Sequence, residues 1–428
     1  MKYKVKDISE INISNISKKD NFSIINYLDT SNITEGFIDE IKNLVVGKDK
    51  IPSRAKRKVK ENDIIISTVR PNLKHYGIIK KPYENLIVST GFAVISPKQE
   101  VNPDYLYWYL TQPKITDYLS AIAESSTTTY PSITSNVIAE LEIDLPDRKT
   151  QDEIANLLSS LNDKYKLNIE MNNTIDAMAE VIFKRWFIDF DFPNAEGHPY
   201  KSSGGKLIES EVGYLPEGWT IKNIDEAAET VSKGTTPTKK DIDTALDPPS
   251  VKFIKVKDIT DIGEIGDNLE KIPRSVHEGK LKRSILMKGD ILYSIAGTIG
   301  RISYVNGDLN NSNTNQAVGF IRLKDKYDFG LVYNYLKTKG AQQYIDSKIV
   351  QAVQANVSLG TLKSIRFPYP TKDVLNNFNN LYMPLFLMKE SNYRENQKLI
   401  NIRNTLLPRV MNGETYGEIS REEVKNVY

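Results

Sequence analysis

Four stretches of this chain recur in the same order half a chain later, and the repeat limits what the chain can fold into. Lys6-Asp7-Ile8-Ser9-Glu10 matches Lys222-Asn223-Ile224-Asp225-Glu226, and Asn62-Asp63-Ile64-Ile65-Ile66-Ser67 matches Gly289-Asp290-Ile291-Leu292-Tyr293-Ser294. Tyr107-Trp108-Tyr109-Leu110 matches Tyr333-Asn334-Tyr335-Leu336, and 133–146 matches 357–370. The offset drifts between 216 and 227. A drifting offset means that a scaffold is kept while its loops change length, and variable loops on a fixed scaffold are where binding specificity sits. At 428 residues the chain is also too long for one ordinary core.

Each half has the same internal order. Strands are predicted at Ile64-Ile65-Ile66, Leu86-Ile87-Val88 and Ala93-Val94-Ile95. Their counterparts are Phe253-Ile254-Lys255-Val256, Ile291-Leu292-Tyr293 and Val318-Gly319-Phe320-Ile321. A short helix follows, over 103–123 and 331–347, then a last strand ending at Pro146 or Pro370. The hydrophobic period then changes to that of a long helix, over 148–186 and 373–411. In the first helix Ile154, Leu158, Leu161, Tyr165, Ile175, Ala179, Ile182 and Trp186 form a narrow stripe. In the second, Phe378, Tyr382, Leu385, Leu399, Ile402, Leu406 and Val410 do the same. So narrow a stripe suits a coiled-coil seam, and each helix would span about 55–60 Å.

Two asparagines interrupt each stripe, Asn168 and Asn172, then Asn392 and Asn396. Antiparallel pairing about a pseudo-twofold sets Asn168 opposite Asn396, Asn172 opposite Asn392, Tyr165 near Leu399, Leu158 near Leu406 and Trp186 near Phe378. Seam asparagines fix register at some cost in stability. The same rule sets Lys389 against Ile175, a poor match, and Pro384 is expected to kink or restart the second helix. These signals divide the chain into a first β-rich domain (1–146), a first helix (147–188), an exposed linker (189–216), a second β-rich domain (217–370), a second helix (371–412) and a C-terminal tail (413–428). The fold class is α+β.

Composition removes several kinds of chemistry. Without cysteine there are no disulfides, thiolate metal sites or cysteine nucleophiles. No apolar run of 18 residues crosses a membrane, and Met1-Lys2-Tyr3-Lys4 leads into no signal core, so a cytoplasmic location is expected. His75, His198 and His277 have no metal-ligand spacing, so no metal is expected. Asp247-Pro248-Pro249-Ser250 is close to an amino-methyltransferase motif, but its serine cannot stack on a flipped base, and a turn before a strand is the better reading. Gly297-Thr298-Ile299-Gly300 reads as a tight hairpin rather than a nucleic-acid-binding loop. No catalytic residues are assigned.

The balance of 57 basic and 55 acidic residues does not mark a nucleic-acid binder. Local distribution does: Lys48, Lys50, Arg54, Lys56, Arg57, Lys58 and Lys60 crowd one segment, and Arg274, Lys280, Lys282, Arg283 and Lys288 another. Base readout needs Arg or Lys for guanine and Asn or Gln for adenine, on loops with cations for phosphate. In the first half the candidates are Arg54, Lys56, Arg57, Lys58, Arg70, Asn72, Lys74, Thr128 and Tyr130. In the second they are Lys233, Thr235, Thr236, Lys239, Lys240, Arg274, Lys282, Arg283, Asn313, Asn315 and Gln354.

Pro146-Asp147-Arg148-Lys149-Thr150-Gln151-Asp152-Glu153-Ile154-Ala155 and Phe183-Lys184-Arg185-Trp186-Phe187-Ile188-Asp189-Phe190-Asp191-Phe192-Pro193 resemble the ends of the first conserved helix in specificity subunits of type I restriction-modification systems. Leu215-Pro216-Glu217-Gly218-Trp219, Gly234-Thr235-Thr236-Pro237 and Gly289-Asp290-Ile291-Leu292 are similar to that family's second target-recognition domain. The first half departs from it, lacking the Leu-Pro-Glu-Gly-Trp opening and carrying Ser17-Lys18-Lys19-Asp20 where Gly-Thr-Thr-Pro would stand.

The resemblance implies two target-recognition domains joined by two helices in an antiparallel coiled coil. Each domain would read half of a bipartite, asymmetric site in double-stranded DNA. The helices would span the unread spacer and dock two modification subunits. Those partners would carry S-adenosylmethionine and methylate adenine, and restriction subunits would bring ATP and Mg. The rivals are a recognition subunit of another bipartite methylation or restriction system, a scaffold with no salt-dependent affinity for DNA, and a self-sufficient methyltransferase binding S-adenosylmethionine alone.

Overall fold

The computed structural model describes residues 2–414 except 18, 126–129, 212, 267 and 350–355. The chain forms two compact units. One takes residues up to Ile169 and from Arg394 onward; the other is Glu170–Tyr393.

In the first unit Lys2–Lys4 pairs antiparallel with Glu142–Asp144, closing the recognition domain on itself. One sheet runs in the order Ser9–Ile11, Phe92–Pro97, Ile64–Ser67, Tyr76–Ile78. The β-branched run Ile64-Ile65-Ile66 is buried on both faces, which is why it reads as a continuous apolar run rather than an alternation. A second sheet runs Lys42–Val45, Ile24–Leu28, Leu86–Ser89, Ala55–Lys58, with a parallel pair at its centre.

The second unit repeats this plan. Thr220–Asn223 pairs with Arg366–Tyr369. Ala228–Lys233, Val318–Leu323, Ile291–Ser294 and Ile302–Tyr304 form the four-stranded sheet. A three-stranded sheet has Pro249–Ile254 parallel to Asn313–Thr314 and antiparallel to Glu270–Pro273. A parallel pair recurring at corresponding places is a topological signature that the sequence matches alone do not contain.

The long helices are Arg148–Phe183 and Lys372–Met411. In the first unit Ile154 and Leu158 share a core with Leu406, Leu407 and Val410. In the second, Phe183, Trp186 and Phe187 share one with Leu375, Phe378 and Tyr382. Each such fully buried side chain contributes roughly 1.5–3 kcal/mol of transfer free energy. Asn168 donates to Asn396 at 2.9 Å in the first unit, and Asn392 donates to Asn172 at 2.9 Å in the second. Lys389 escapes its poor apolar match by turning to Asp176, 2.5 Å away.

Several expectations need revision. The single short helix over 103–123 is two, Pro103–Leu110 and Pro113–Glu124, because Pro113 lacks the N–H to continue a helix and starts a new one. Its counterpart is likewise split into Phe329–Lys337 and Lys339–Ile349. The linker at 189–216 is exposed over most of its length, with Phe192, Leu215 and Pro216 buried as its anchors. Phe192 stacks on Trp219 at 5.2 Å and on Tyr200 at 4.7 Å, and Leu207–Ser210 pairs with Gly213–Pro216. Pro384 does not restart the second helix, which runs through it. Pro384 and Asn380 are both exposed, so water reaches the carbonyl that lost its donor. Tyr165 meets the ring of Phe37 edge-on at 5.4 Å, a contact with the recognition domain in addition to its place on the helix stripe. Among the described residues no helix is long and apolar enough to cross a membrane.

Candidate DNA interface

In the first unit, backbone hydrogen bonds draw four loops together. Thr90 N–H donates to the Arg54 carbonyl at 2.8 Å, and Thr68 N–H to Gly91 at 2.7 Å. Arg70 N–H donates to Pro131 at 2.8 Å, and Ile133 N–H to Thr68 at 2.9 Å. The Pro71–Leu73 turn is flanked by Arg70 and Lys74, both left-handed, at φ +48° and +56°. Non-glycine residues rarely adopt that conformation, and it concentrates at functional loops. The Arg70 guanidinium lies 5.0 Å from the Tyr130 ring centroid, a cation–π contact that holds the arginine at the surface.

The second unit builds the same cluster with different side chains. Gly234 N–H donates to Val318 at 3.3 Å, Ile295 N–H to Ala317 at 2.8 Å and Val357 N–H to Ile295 at 2.9 Å. Gly234 has no room for a side chain, since a Cβ there would lie 1.9 Å from the Thr314 carbonyl oxygen. Thr236 donates through its N–H, at 3.1 Å, and its hydroxyl to Gln316. Gly297-Thr298-Ile299-Gly300 lies in the hairpin between Ile291–Ser294 and Ile302–Tyr304. The segment carrying Lys239 and Lys240 is tied to the one carrying Lys282 and Arg283 by Lys280, 2.7 Å from Asp241. Lys280 and the Thr238 hydroxyl and N–H hold the Asp241 carboxyl down at about 2.

The candidate readers fall into distinct environments. Arg54, Lys56, Lys233, Lys239, Lys240, Lys282 and Arg283 are exposed and have no ion-pair partner among the described residues. Asn72 and Thr235 are exposed on their loops, and Tyr130 is exposed at the rim. Lys74 pairs with Glu35 at 2.7 Å and Arg274 with Glu278 at 3.3 Å, each at the surface. Asn315 is half-buried and accepts from Ala317 N–H at 3.2 Å.

Three candidates serve the fold instead. Arg57 turns inward to Asn12 and the Phe92 carbonyl, and burial lowers its pKa. Lys58 pairs with Asp20, whose carboxyl is held down first by that lysine and then by Ser17. Asn313 is fully buried, donating to Leu281 at 3.1 Å and accepting from Ser284 at 2.8 Å, so it cannot reach a base. Thr128 and Gln354 lie outside the described residues. Gln316 was missed; its place beside the Gly-Thr-Thr loop is set by the fold, and its adjacency to Asn315 was the only signal in the sequence.

On the helices, Asn168, Asn172, Asn392 and Asn396 are buried, as are Leu158, Trp186, Phe378, Tyr382, Leu399 and Leu406; Ile182 is half-buried. His75 is held by the Ile33 carbonyl at 2.6 Å, and His277 is buried between Asn311 and Asn313. Asp247 accepts from Ser275 N–H at 3.1 Å and from the Ser275 hydroxyl, and the strand begins at Pro249. Among the described residues no cluster of acidic, histidine or cysteine side chains is suited to holding a metal.

The family model described as the type I restriction modification DNA specificity domain matches residues 1–177 and 216–374. The chain is 28% identical to the type I restriction enzyme HindI specificity subunit of Haemophilus influenzae, covering 96% of this chain and 98% of that one. It is 24% identical to the MjaIX specificity subunit of Methanocaldococcus jannaschii, covering 84% and 78%. A solved type I restriction-modification S subunit from M. genitalium has the same fold at a TM-score of 0.59 and 14% identity, over 96% of this chain and 95% of that one. With both of its halves matched by the same domain model, this chain belongs to the family of type I restriction-modification DNA specificity proteins.

Proposed function

We propose that this chain is the DNA-reading specificity subunit of a type I restriction-modification enzyme. It reads a bipartite, asymmetric site, one half with each recognition domain. The observation that carries this is the loop cluster built twice on one scaffold from unlike side chains: Arg54, Arg70 and Asn72 in one half, Lys233, Thr235 and Gln316 in the other. Guanidinium and carboxamide groups match base-edge donors and acceptors, and the unpaired lysines beside them suit phosphates. The domains are joined by an antiparallel coiled coil, a reading supported by the two asparagine pairs.

The chain supplies recognition, and partners supply chemistry. Modification subunits carrying S-adenosylmethionine methylate adenine, and restriction subunits use ATP and Mg. In the second unit one helix exposes Met171, Met178 and Val181 and the other Leu381 and Met388, at helical spacings of three and seven. Apolar side chains left in water at such spacing fit a docking surface for partner helices.

Methylated adenines are to be mapped in cells carrying the neighbouring modification gene, with and without this chain. The expected result is a two-part motif that disappears without the chain. An identical methylation pattern in both, with the modification subunit shown to be active, would refute the assignment.

A further inference from the structure

The first unit holds a cavity of about 400 Å³ between its recognition domain and the helix Arg148–Phe183. Gly36, Ile78, Tyr107, Trp108, Ser159 and Asn162 are among its walls. Asn162 is 8% exposed and Tyr107 5% exposed. Neither the Asn162 carboxamide nor the Tyr107 hydroxyl has a hydrogen-bond partner among the described residues. Neither is sealed away from water; both open onto the cavity, where water or an inserted group can meet them. Two such groups facing one cavity point to something that enters it.

The repeat supplies the chemistry of the occupant. Ile78 stands opposite Ile64 in its sheet, as Tyr304 stands opposite Ile291 in the other half. The helix offset that relates Asn168 to Asn392 relates Asn162 to Phe386 and Ser159 to Met383. At these three places the second half carries the larger side chain, Tyr304 for Ile78, Phe386 for Asn162 and Met383 for Ser159, whereas Trp108 of the first half stands where the second has Asn334. Tyr304 packs on Phe386 at 4.8 Å and on Tyr333 at 5.7 Å, and Phe329 packs on Phe386 at 5.1 Å. The cavity beside Gly263 and Tyr333, the counterparts of Gly36 and Tyr107, is only about 40 Å³. One scaffold fills this space with its own aromatic rings; the other leaves it open.

We infer that the cavity of the first unit is a receptor for an aromatic side chain inserted by a partner polypeptide. The inserted ring takes the place that Phe386 and Tyr304 occupy in the second half. Polar atoms of the inserted segment meet the Asn162 carboxamide and the Tyr107 hydroxyl. Lys81 and Asp163, exposed at the cavity wall and without ion-pair partners among the described residues, suit a segment with charges beside its ring. The inference rests on the partner assembly proposed above and names where one contact is made.

The test is assembly of the full chain with the modification subunit, comparing wild type with Asn162→Phe, which copies the second half. The ring should fill the cavity, so the free variant should melt no lower than wild type while assembling at least tenfold more weakly. Assembly within twofold of wild type would mean a cavity that holds only water, and would overturn the inference. Should Asn162→Phe fail to fold, Asn162→Cys introduces a single thiol into a chain without cysteine. Its alkylation should slow at least tenfold in the complex, and an unchanged rate would overturn the inference. Wild-type chain that does not assemble at all would overturn both this inference and the partner reading beneath it.

Discussion

Two corresponding carboxylates are buried by different means. Asp290 is 1% exposed and takes a two-pronged hydrogen bond from Arg322, at 2.7 and 2.9 Å. In the first half the equivalent Asp63 is 2% exposed, and Ser96 stands where Arg322 does, donating at 2.6 Å. Breaking a buried pair strands a charge, so Arg322→Ala should cost about 3 kcal/mol in urea unfolding. A loss below about 1 kcal/mol would mean that water replaces the arginine freely. Burial raises the Asp63 pKa, offset in part by Ser96 and the Lys60 N–H. A raised carboxyl binds its proton more tightly in the folded state. Its contribution is therefore full below the ordinary carboxylate range and is lost as pH climbs through the raised value. Asp63→Asn should remove that part of the pH dependence in an unfolding series; an unchanged profile would exclude Asp63 as its source. At this scale the sequence was read least well. Arg57 and Lys58 look like Lys56 in a basic run, but what they do depends on strand register and on Asn12 and Asp20, which are distant in sequence.

The elements were far more legible. Helical periodicity over tens of residues averages out local exceptions, so 148–186 and 373–411 approximate Arg148–Phe183 and Lys372–Met411. In the linker at 189–216 the aromatic anchors were hard to see, because glycine, serine and proline outnumber Phe190, Phe192 and Tyr200. The buried asparagines allow a test of their own. Asn396→Leu alone leaves Asn168 with Glu395 as its one remaining acceptor on the facing helix and should cost about 1 kcal/mol. Adding Asn168→Leu should recover most of that loss, and the double variant should melt at or above wild type. Losses that merely add would show that the two side chains do not act as a pair.

For the whole molecule, the repeat made the two-domain plan readable, whereas the parallel strand pair within each domain required the structure. On the proposed reading, contact with DNA falls to cations that the fold leaves unpaired. Arg54→Ala with Lys56→Ala should lower the slope of log affinity against log salt by about two, near one per lost phosphate contact, without lowering stability. Arg57→Ala should instead destabilise the chain, because its Asn12 and Phe92 contacts are internal. A slope unchanged by the first pair would remove that edge strand from the interface.

The first unit is assembled from both ends of the chain, whereas the second is one uninterrupted segment. A ribosome releases Glu170–Tyr393 whole, but Ile154 and Leu158 must wait for Leu406, Leu407 and Val410. At translation speeds of about 5–20 residues per second, that wait is on the order of tens of seconds. For most of it the second unit is still being made, and it is complete at Tyr393, before the residues that close the first core, which stays half-built throughout. The domain that begins the polypeptide is therefore the last to mature, and its unfinished helix surface is where a chaperone or an early-binding partner would act.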